Sequence, residues 1–409
     1  MSEPRKVCVV GLGYIGLPTS AVLAAAGHSV VGVDVNPVAV DTINQGKIHI
    51  VEPDLERWVL DAVRLGRLRA QLAPEEADVL MVCVPTPYYH DRPTPEPNME
   101  YVVAATKAIA PFVRPGNLVV LESTSPVGST ELVRDTLAQS GVDVSSLHFA
   151  YCPERVLPGQ IMKELVENDR IVGGLTPQAA DAVAEFYTTF VSKGAVVRTD
   201  ARTAEMSKLV ENSYRDVNIA FANELSIICD RAGINPRELI DLANHHPRVN
   251  ILSPGAGVGG HCIAVDPWFI VAMDPENAKI IRQAREINDG KAEWTRARIE
   301  RGASEFKAKH GREPKVAALG LAFKPNIDDT RESPALAITT QLVAAGKDVM
   351  AVEPNMEECE GLDLTPLAEA VAQADILVFL VAHDDFRQVD VEGRLFQDYC
   401  GIHGYRATV

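Results

Sequence analysis

The sequence predicts an α/β protein with two doubly wound α/β domains joined by a central all-helical dimerisation domain. Three observations predict it. The chain opens with a short apolar run, a glycine turn, a helix and a second apolar run ending in an acid. The same strand pattern returns about 300 residues later, and the stretch between has apolar residues at helical spacing. At 409 residues the chain is also too long for one core. We expect domains at 1–200, 201–311 and 312–409, with the second junction at Gly311 to Pro314.

Lys6-Val7-Cys8-Val9-Val10 reads as a buried parallel strand. Gly11-Leu12-Gly13-Tyr14-Ile15-Gly16 follows at once, Leu17 to Ala26 continue as a helix ended by Gly27, and Ser29 to Val33 form a strand ending in Asp34. This is the order of a Rossmann dinucleotide-binding unit. Gly11, Gly13 and Gly16, with Tyr14 and Ile15 between, form the turn that lets a pyrophosphate approach the helix N-terminus. Asp34 is placed to bind both ribose hydroxyls, which makes NAD, rather than its phosphorylated form, the expected cofactor. The proline-rich loop Pro85 to Pro97, with Thr86, follows a strand and could cover bound cofactor.

Two further strand ends carry polar residues, and open sheets bind ligands at such ends. Ser123-Thr124 follows Leu118 to Leu121, where its hydroxyls either contact ligand or cap a helix. Pro153-Glu154-Arg155 follows Phe149 to Cys152, and Glu154 is either a general base or half of an ion pair with a neighbouring arginine.

The helical middle begins with Thr203 to Ala232, ended by Gly233. Asn235-Pro236 starts a second helix, and Asn277 to Lys309 reads as a third. The first has apolar residues on more than one face, so its burial requires a second subunit. Lys208 and Asn212 are four apart and share a face. They either donate together to one oxygen or belong to a solvated helix surface. The C-terminal copy keeps the strands, with Lys315 to Gly320 echoing the opening strand and Ala344 to Glu353 echoing Ala25 to Asp34. It has lost the fingerprint, because Gly320-Leu321-Ala322-Phe323-Lys324 has no second or third glycine. Such a domain holds a different nucleotide, or none.

Cys262 closes a loop, Pro254-Gly255-Ala256-Gly257-Val258-Gly259-Gly260-His261-Cys262, with four glycines. Most cysteines outside disulfides are small buried fillers. This one follows a polar turn and precedes Asp266 by four residues, so its sulfur is expected to be accessible. A thiol beside a nicotinamide can trap an aldehyde covalently, letting one site oxidise an alcohol to an acid.

Bulk properties exclude several classes. A net charge of −17 with no basic patch argues against nucleic-acid binding. No apolar stretch reaches the length of a membrane span, and Met1 to Lys6 run straight into a strand without signal-peptide character. Seven scattered cysteines form no disulfide framework or metal-ligand pattern, so we expect a cytoplasmic protein without a metal.

In order along the chain stand the glycine turn, Val84-Pro85-Thr86-Pro87, Ser123-Thr124, Pro153-Glu154, Lys208 with Asn212, the Cys262 loop with Asp266, and Phe323-Lys324 with Thr330-Arg331-Glu332-Ser333. By this ordered set the chain resembles the UDP-glucose/GDP-mannose dehydrogenase family over essentially its whole length. Tyr151 to Gln160, Arg215 to Ser226 and His246 to Leu252 are most similar to the branch acting on UDP-N-acetyl-D-mannosamine. His261 and Val265 stand where the glucose branch has Ser and Lys. Ala256 replaces a proline common in the branch, and the tail 403–409 does not match, so no role is transferred to it.

The resemblance implies a homodimer or larger assembly that oxidises C6 of a UDP-sugar to a carboxylate, using two NAD. It implies that Cys262 is the nucleophile, with Lys208 and Asn212 stabilising an oxyanion. Asp266 and Glu154 are the implied bases, and Thr124 also belongs to the site. Thr86, Thr124 and Arg331 would contact cofactor. Glu154, Arg155, Lys208, Asn212, Arg248, Gly259, His261, Phe323 and Lys324 would contact substrate, with Arg248 reaching a neighbouring subunit. UDP-N-acetylglucosamine is the alternative sugar. A two-electron hydroxyacid-type dehydrogenase, the other enzymatic alternative, has no use for the thiol, and an NAD-sensing module has no use for Lys208, Asn212 and Cys262.

Overall fold

The computed structural model describes residues 3–404 apart from 90, 91, 93, 158 and 261. It divides into two compact units, 1–210 and 211–409.

The first unit is built on strands Lys6–Val10 (β1), Ser29–Val33 (β2), Leu68–Gln71 (β3) and Val79–Val82 (β4). Tyr88–Tyr89 (β5) and Glu96–Pro97 (β6) make a small hairpin inside the proline-rich loop. Leu118–Leu121 (β7), His148–Tyr151 (β8), Arg170–Gly174 (β9) and Val196–Asp200 (β10) complete the set. Eight strands form one sheet in the order β10-β9-β8-β7-β4-β1-β2-β3. All its pairings are parallel except β8 with β9. β1, β4 and β7 are almost wholly buried, because helices cover both faces of a parallel sheet and leave no polar side to alternate with. Two apolar clusters result, one on each face.

The glycine fingerprint shows its physical cause at each position. Gly11 has φ +93, and a Cβ on Gly16 would stand 1.8 Å from the Gly11 carbonyl oxygen, so the turn and helix Gly16–Ala25 close directly on each other. A Cβ on Gly13 would meet nothing within 4 Å. That glycine leaves open space rather than a packed contact.

The second unit contains most of the helix Ala201–Ala232, whose first ten residues belong to the first unit. Helices Pro236–Asn244, Asp266–Met273 and Lys279–His310 follow, then strands Val316–Leu319 (β11), Val349–Val352 (β12), Ile376–Phe379 (β13) and Leu395–Asp398 (β14). These four make a parallel sheet in the order β12-β11-β13-β14. Ile299 and Phe306 of Lys279–His310 lie in one apolar cluster with Val316, Ala318 and Ile338. That shared core makes the helices from 211 onward and the C-terminal sheet one compact body.

The C-terminal sheet repeats the first domain's opening in detail. Gly320 N donates to Val352 O at 2.8 Å, as Gly11 N does to Val33 O. Asp34 accepts from the Leu12 and Asn36 amides, both at 2.9 Å. Its counterpart Glu353 accepts from Leu321 N at 2.8 Å, Ala322 N at 3.0 Å and Asn355 N at 3.1 Å. The extra methylene lets Glu353 take the amide of Ala322, the position of Gly13, and His383 Nε2 holds the same carboxylate at 3.0 Å. A pyrophosphate cannot use amides that a buried glutamate already occupies.

Candidate active site

In the first unit, candidate residues gather at the C-terminal ends of β4, β7 and β8. Thr86 Oγ1 donates to the Thr124 carbonyl, and Ser123 Oγ to the Val84 carbonyl at 2.7 Å. The loops after β4 and β7 are thereby tied together beside the switch between β4 and β1, where a doubly wound sheet opens to ligand. The Thr124 side chain takes no helix-capping role, since the next helix begins at Ser129 after Gly128.

Glu154 is half of a buried ion pair. Arg170 Nη1 donates to its Oε1 at 3.3 Å, and Val156 N to its Oε2 at 2.6 Å. Burial pushes its carboxyl above the usual range, while Arg170 and Lys208 pull the other way. A buried carboxylate whose proton affinity has been raised is suited to take a proton from water near neutrality. Its arginine is Arg170 of β9, not the adjacent Arg155, whose Nη1 donates to Asp169 O at 3.2 Å. Arg170 also reaches Glu122 Oε1 at 3.1 Å, and the Tyr187 hydroxyl donates to the same oxygen. Sequence reading missed Arg170 and Glu122. The available signal was an arginine inside a run otherwise fit for a buried strand.

Lys208 is 9% exposed and Asn212 8%, so neither belongs to a solvated face. The helix is fixed near Lys208 by Glu205, which accepts from Gly128 N at 2.7 Å and from Thr130 N at 2.8 Å and Oγ1 at 2.6 Å. It thus caps the helix Ser129–Gln139 from outside.

In the second unit Cys262 is exposed, not a buried filler. Its carbonyl accepts from Val265 N at 3.1 Å and Asp266 N at 2.8 Å, so the thiol sits in the turn that starts helix Asp266–Met273. Asp266 is buried, and Asn212 Nδ2 donates to its Oδ2 at 2.5 Å. The glycines serve a contact the sequence could not specify. A Cβ on Gly259 would stand 2.4 Å from Glu332 O, and one on Gly260, at φ +86, 2.8 Å from the Phe323 ring. Gly260 N also donates to Arg331 O at 3.1 Å. The loop therefore lies against the 323–334 segment, which brings Phe323 to the Cys262 loop.

Lys324 is half-buried, and Arg331 is exposed with its guanidinium on the Asp329 carboxylate at 2.8 and 3.0 Å. Arg248 is exposed in a loop stapled by Asn244, which exchanges two hydrogen bonds with Ile251. His261 lies outside the described residues. Among the described residues no group of three or more His, Cys, Asp or Glu is arranged to hold a metal, and no helix is long and apolar enough to cross a membrane.

The residues around the first turn fit NAD, with open space at Gly13, a helix N-terminus behind it and an acid at the end of β2. The chain matches three family models in order. These are the NAD binding domain of the UDP-glucose/GDP-mannose dehydrogenase family over residues 5–191, its central domain over 202–290 and its UDP binding domain over 317–399. It is 53% identical to an NDP-N-acetyl-D-galactosaminuronic acid dehydrogenase of Ralstonia nicotianae, covering 95% of this chain and 93% of that one. It is also 53% identical to the UDP-N-acetyl-D-mannosamine dehydrogenase of Escherichia coli, over 94% and 95%. The solved UDP-D-ManNAc dehydrogenase of Pyrococcus horikoshii superposes with a TM-score of 0.89 at 36% identity, over 98% of this chain and 96% of that one. The chain is an NAD-binding dehydrogenase and belongs to the UDP-glucose/GDP-mannose dehydrogenase family.

Proposed function

We propose that the protein oxidises UDP-N-acetyl-D-mannosamine at C6 to the uronate, with two NAD per sugar and Cys262 as covalent nucleophile. The observation that carries this reading is one helix, Ala201–Ala232. On it Asn212 donates to the buried Asp266, four residues from the exposed Cys262.

NAD, held by the turn Gly11 to Gly16 with Asp34 at its ribose, would supply the hydride acceptor for each of two successive oxidations at C6. Asp266 takes the proton of the C6 hydroxyl, directly or through water, as the aldehyde forms. The Cys262 sulfur adds to that aldehyde, making a C–S bond, and Lys208 with Asn212 stabilises the resulting oxyanion. Removing one such donor typically costs ~2.7–4 kcal/mol of barrier. Loss of the second hydride leaves a thioester. Glu154 takes a proton from water as it attacks the thioester carbonyl, the C–S bond breaks, and the thiol returns with release of the acid. Thr86, Thr124 and Arg331 are proposed cofactor contacts. Arg155, Arg248, Gly259, His261, Phe323 and Lys324 are proposed sugar-nucleotide contacts. In functional terms 1–200 holds NAD, 201–311 carries catalysis and dimerisation, and 312–409 holds UDP.

A homodimer or larger assembly is supported by Val210, Tyr214, Phe221 and Ile228, all about half-exposed or more on the long helix at spacings of four and seven. A stripe with that period is the seam of a helix that packs against a partner. A cytoplasmic setting is supported by seven cysteines of which none is in a disulfide.

The sugar is tested by assaying purified protein with NAD and the UDP-linked forms of N-acetylmannosamine, N-acetylglucosamine, N-acetylgalactosamine and glucose in parallel. N-acetylmannosamine should give the highest kcat/KM. Glucose should be rejected strongly, because groups that bond an N-acetyl would be left unpaired. A preference for UDP-glucose would refute the branch, and a preference for another N-acetyl sugar would refute the epimer.

A further inference from the structure

Behind the glycine loop, within the second unit, is a cavity of about 50 Å³ that the proposed chemistry does not use. Lys291 lines it from the helix Lys279–His310 and is 2% exposed. Its ammonium donates to Ser226 Oγ at 2.8 Å and lies 3.7 Å above the Trp294 ring. Arg237, from helix Pro236–Asn244, faces the same space, with Nη2 on the carbonyls of Tyr399 at 3.1 Å and Pro254 at 3.3 Å.

The carboxylates on the wall are already engaged. Asp230, from helix Ala201–Ala232, is paired with Arg298. Asp398, at the end of β14, accepts from the backbone amides of Cys400 at 3.0 Å, Gly401 at 2.6 Å, His403 at 2.7 Å and Gly404 at 3.1 Å. Among the described residues neither Lys291 nor Arg237 makes an ion pair. Three cations against two engaged carboxylates leave the cavity short of negative charge. Burying an ammonium without an anion is costly.

We propose that this cavity binds a compact tetrahedral oxyanion, of the size and charge of phosphate or sulfate, between Lys291 and Arg237. A water needs roughly 10–15 Å³ on this scale, so the space admits about three to five water-sized groups, matching four oxygens and not a nucleotide. Lys291 supplies a point charge and Arg237 a planar fork, and both are common phosphate ligands. The groups facing Lys291 are Ser226 and Asp230, Arg237, Trp294 and Arg298 on its own helix, and Asp398 and Tyr399 after β14. Burial lowers its ammonium to about 7, with Asp230 opposing and Arg298 and Arg237 reinforcing. The bound anion would restore the proton that burial removes.

The site also touches the loop that presents Cys262. Pro254 and Gly255 are part of the cavity wall, and Gly255 N donates to Asn223 Oδ1 at 2.9 Å. An anion that fixes Arg237 fixes the Pro254 carbonyl with it, so occupancy steadies the start of the glycine loop.

The test is calorimetric titration of the full chain with sodium sulfate, which does not itself titrate near neutrality, at constant ionic strength and in buffers of different ionisation enthalpy. Saturable binding at millimolar concentration is expected, with uptake of ~0.5 proton at pH 7 and affinity falling up to about tenfold per pH unit well above 7. Lys291→Met and Arg237→Gln should each weaken binding at least about tenfold, the strength of one charge-assisted contact. Inorganic phosphate should compete with sulfate, while saturating UDP should not. Absence of saturable binding to the wild-type protein would overturn the proposal, as would displacement by UDP. Full affinity in a folded Lys291→Met, or in Lys291→Gln where the first variant fails to fold, would overturn it as well.

Discussion

Replacing Arg170 with Met tests how the proposed base is held. The guanidinium is 1% exposed and stands 3.1 Å from Glu122 and 3.3 Å from Glu154, whose side chains are 0% and 7% exposed. At an effective dielectric of 20 each pair has a gross attraction of about 5 kcal/mol. Most of that offsets desolvation, and removing one partner of a buried pair typically costs about 3–5 kcal/mol, because the remaining carboxylates lose their counter-charge. At about 2–4 °C per kcal/mol for a unit of this size, the first thermal transition should fall by about 6–20 °C. Catalysis should respond separately. Burial already raises the Glu154 carboxyl and Arg170 opposes it, so the variant's carboxyl rises further. The acidic limb of the rate of acid release should move to higher pH, with Arg170→Lys in between. Scanning calorimetry and a pH–rate profile of acid formation are the assays. A variant within about 1 kcal/mol of wild type with an unmoved acidic limb would refute both the buried-pair energetics and the coupling to Glu154.

Other outcomes follow from the same geometry. Cys262→Ser should abolish acid formation while NAD still binds, since a serine hydroxyl is rarely ionised near neutrality; sustained acid production would exclude the covalent route. NADP should be a poor cofactor, because Asp34 and a 2′-phosphate charge about 4 Å apart repel by roughly 4 kcal/mol before screening; equal kcat/KM with both would remove Asp34 from the ribose. Glu353 is drawn down to about 2, as the His383 bond and the Leu321 and Ala322 amides outweigh burial. Its stabilisation, about 3 kcal/mol from the shift, is complete above the unfolded value near 4.5 and lost as pH falls toward 2. Glu353→Gln should therefore flatten acid unfolding of the C-terminal sheet between those values, and an unchanged profile would contradict the assignment. Tyr214→Glu with Phe221→Glu should yield monomers in sedimentation, whereas an unaltered assembly would place the seam elsewhere.

The first domain was legible because its signals are local. Continuous valine runs mark buried parallel strands, and the glycine spacing of 11, 13 and 16 is demanded by one turn. The helix Ala201–Ala232 was equally plain from its period and from Gly233. Cys262 stood out because a thiol rarely follows so many glycines. What those glycines touch did not stand out, since Phe323 and Glu332 are more than 60 residues away. The buried cations were hidden for a related reason. Lys291 lies in the polar stretch Asp289-Gly290-Lys291-Ala292-Glu293, which reads as solvated surface, and its burial depends on Ser226 of the long helix and other segments distant in sequence. Arg170 likewise depends on Glu122 and Glu154 arriving from other strands. Ile299 and Phe306 of the helix Lys279–His310 join the core of the C-terminal sheet, a contact that periodicity does not encode.

The central claim is that one site carries out both oxidations through a thiol, and product stoichiometry tests it most directly. Purified protein with excess NAD and limiting UDP-N-acetyl-D-mannosamine should form two NADH per sugar consumed. The product should be the carboxylate, and an aldehyde-trapping amine in solution should capture nothing. One NADH per sugar with a released or trapped aldehyde would contradict the account, leaving Cys262 without the role proposed for it.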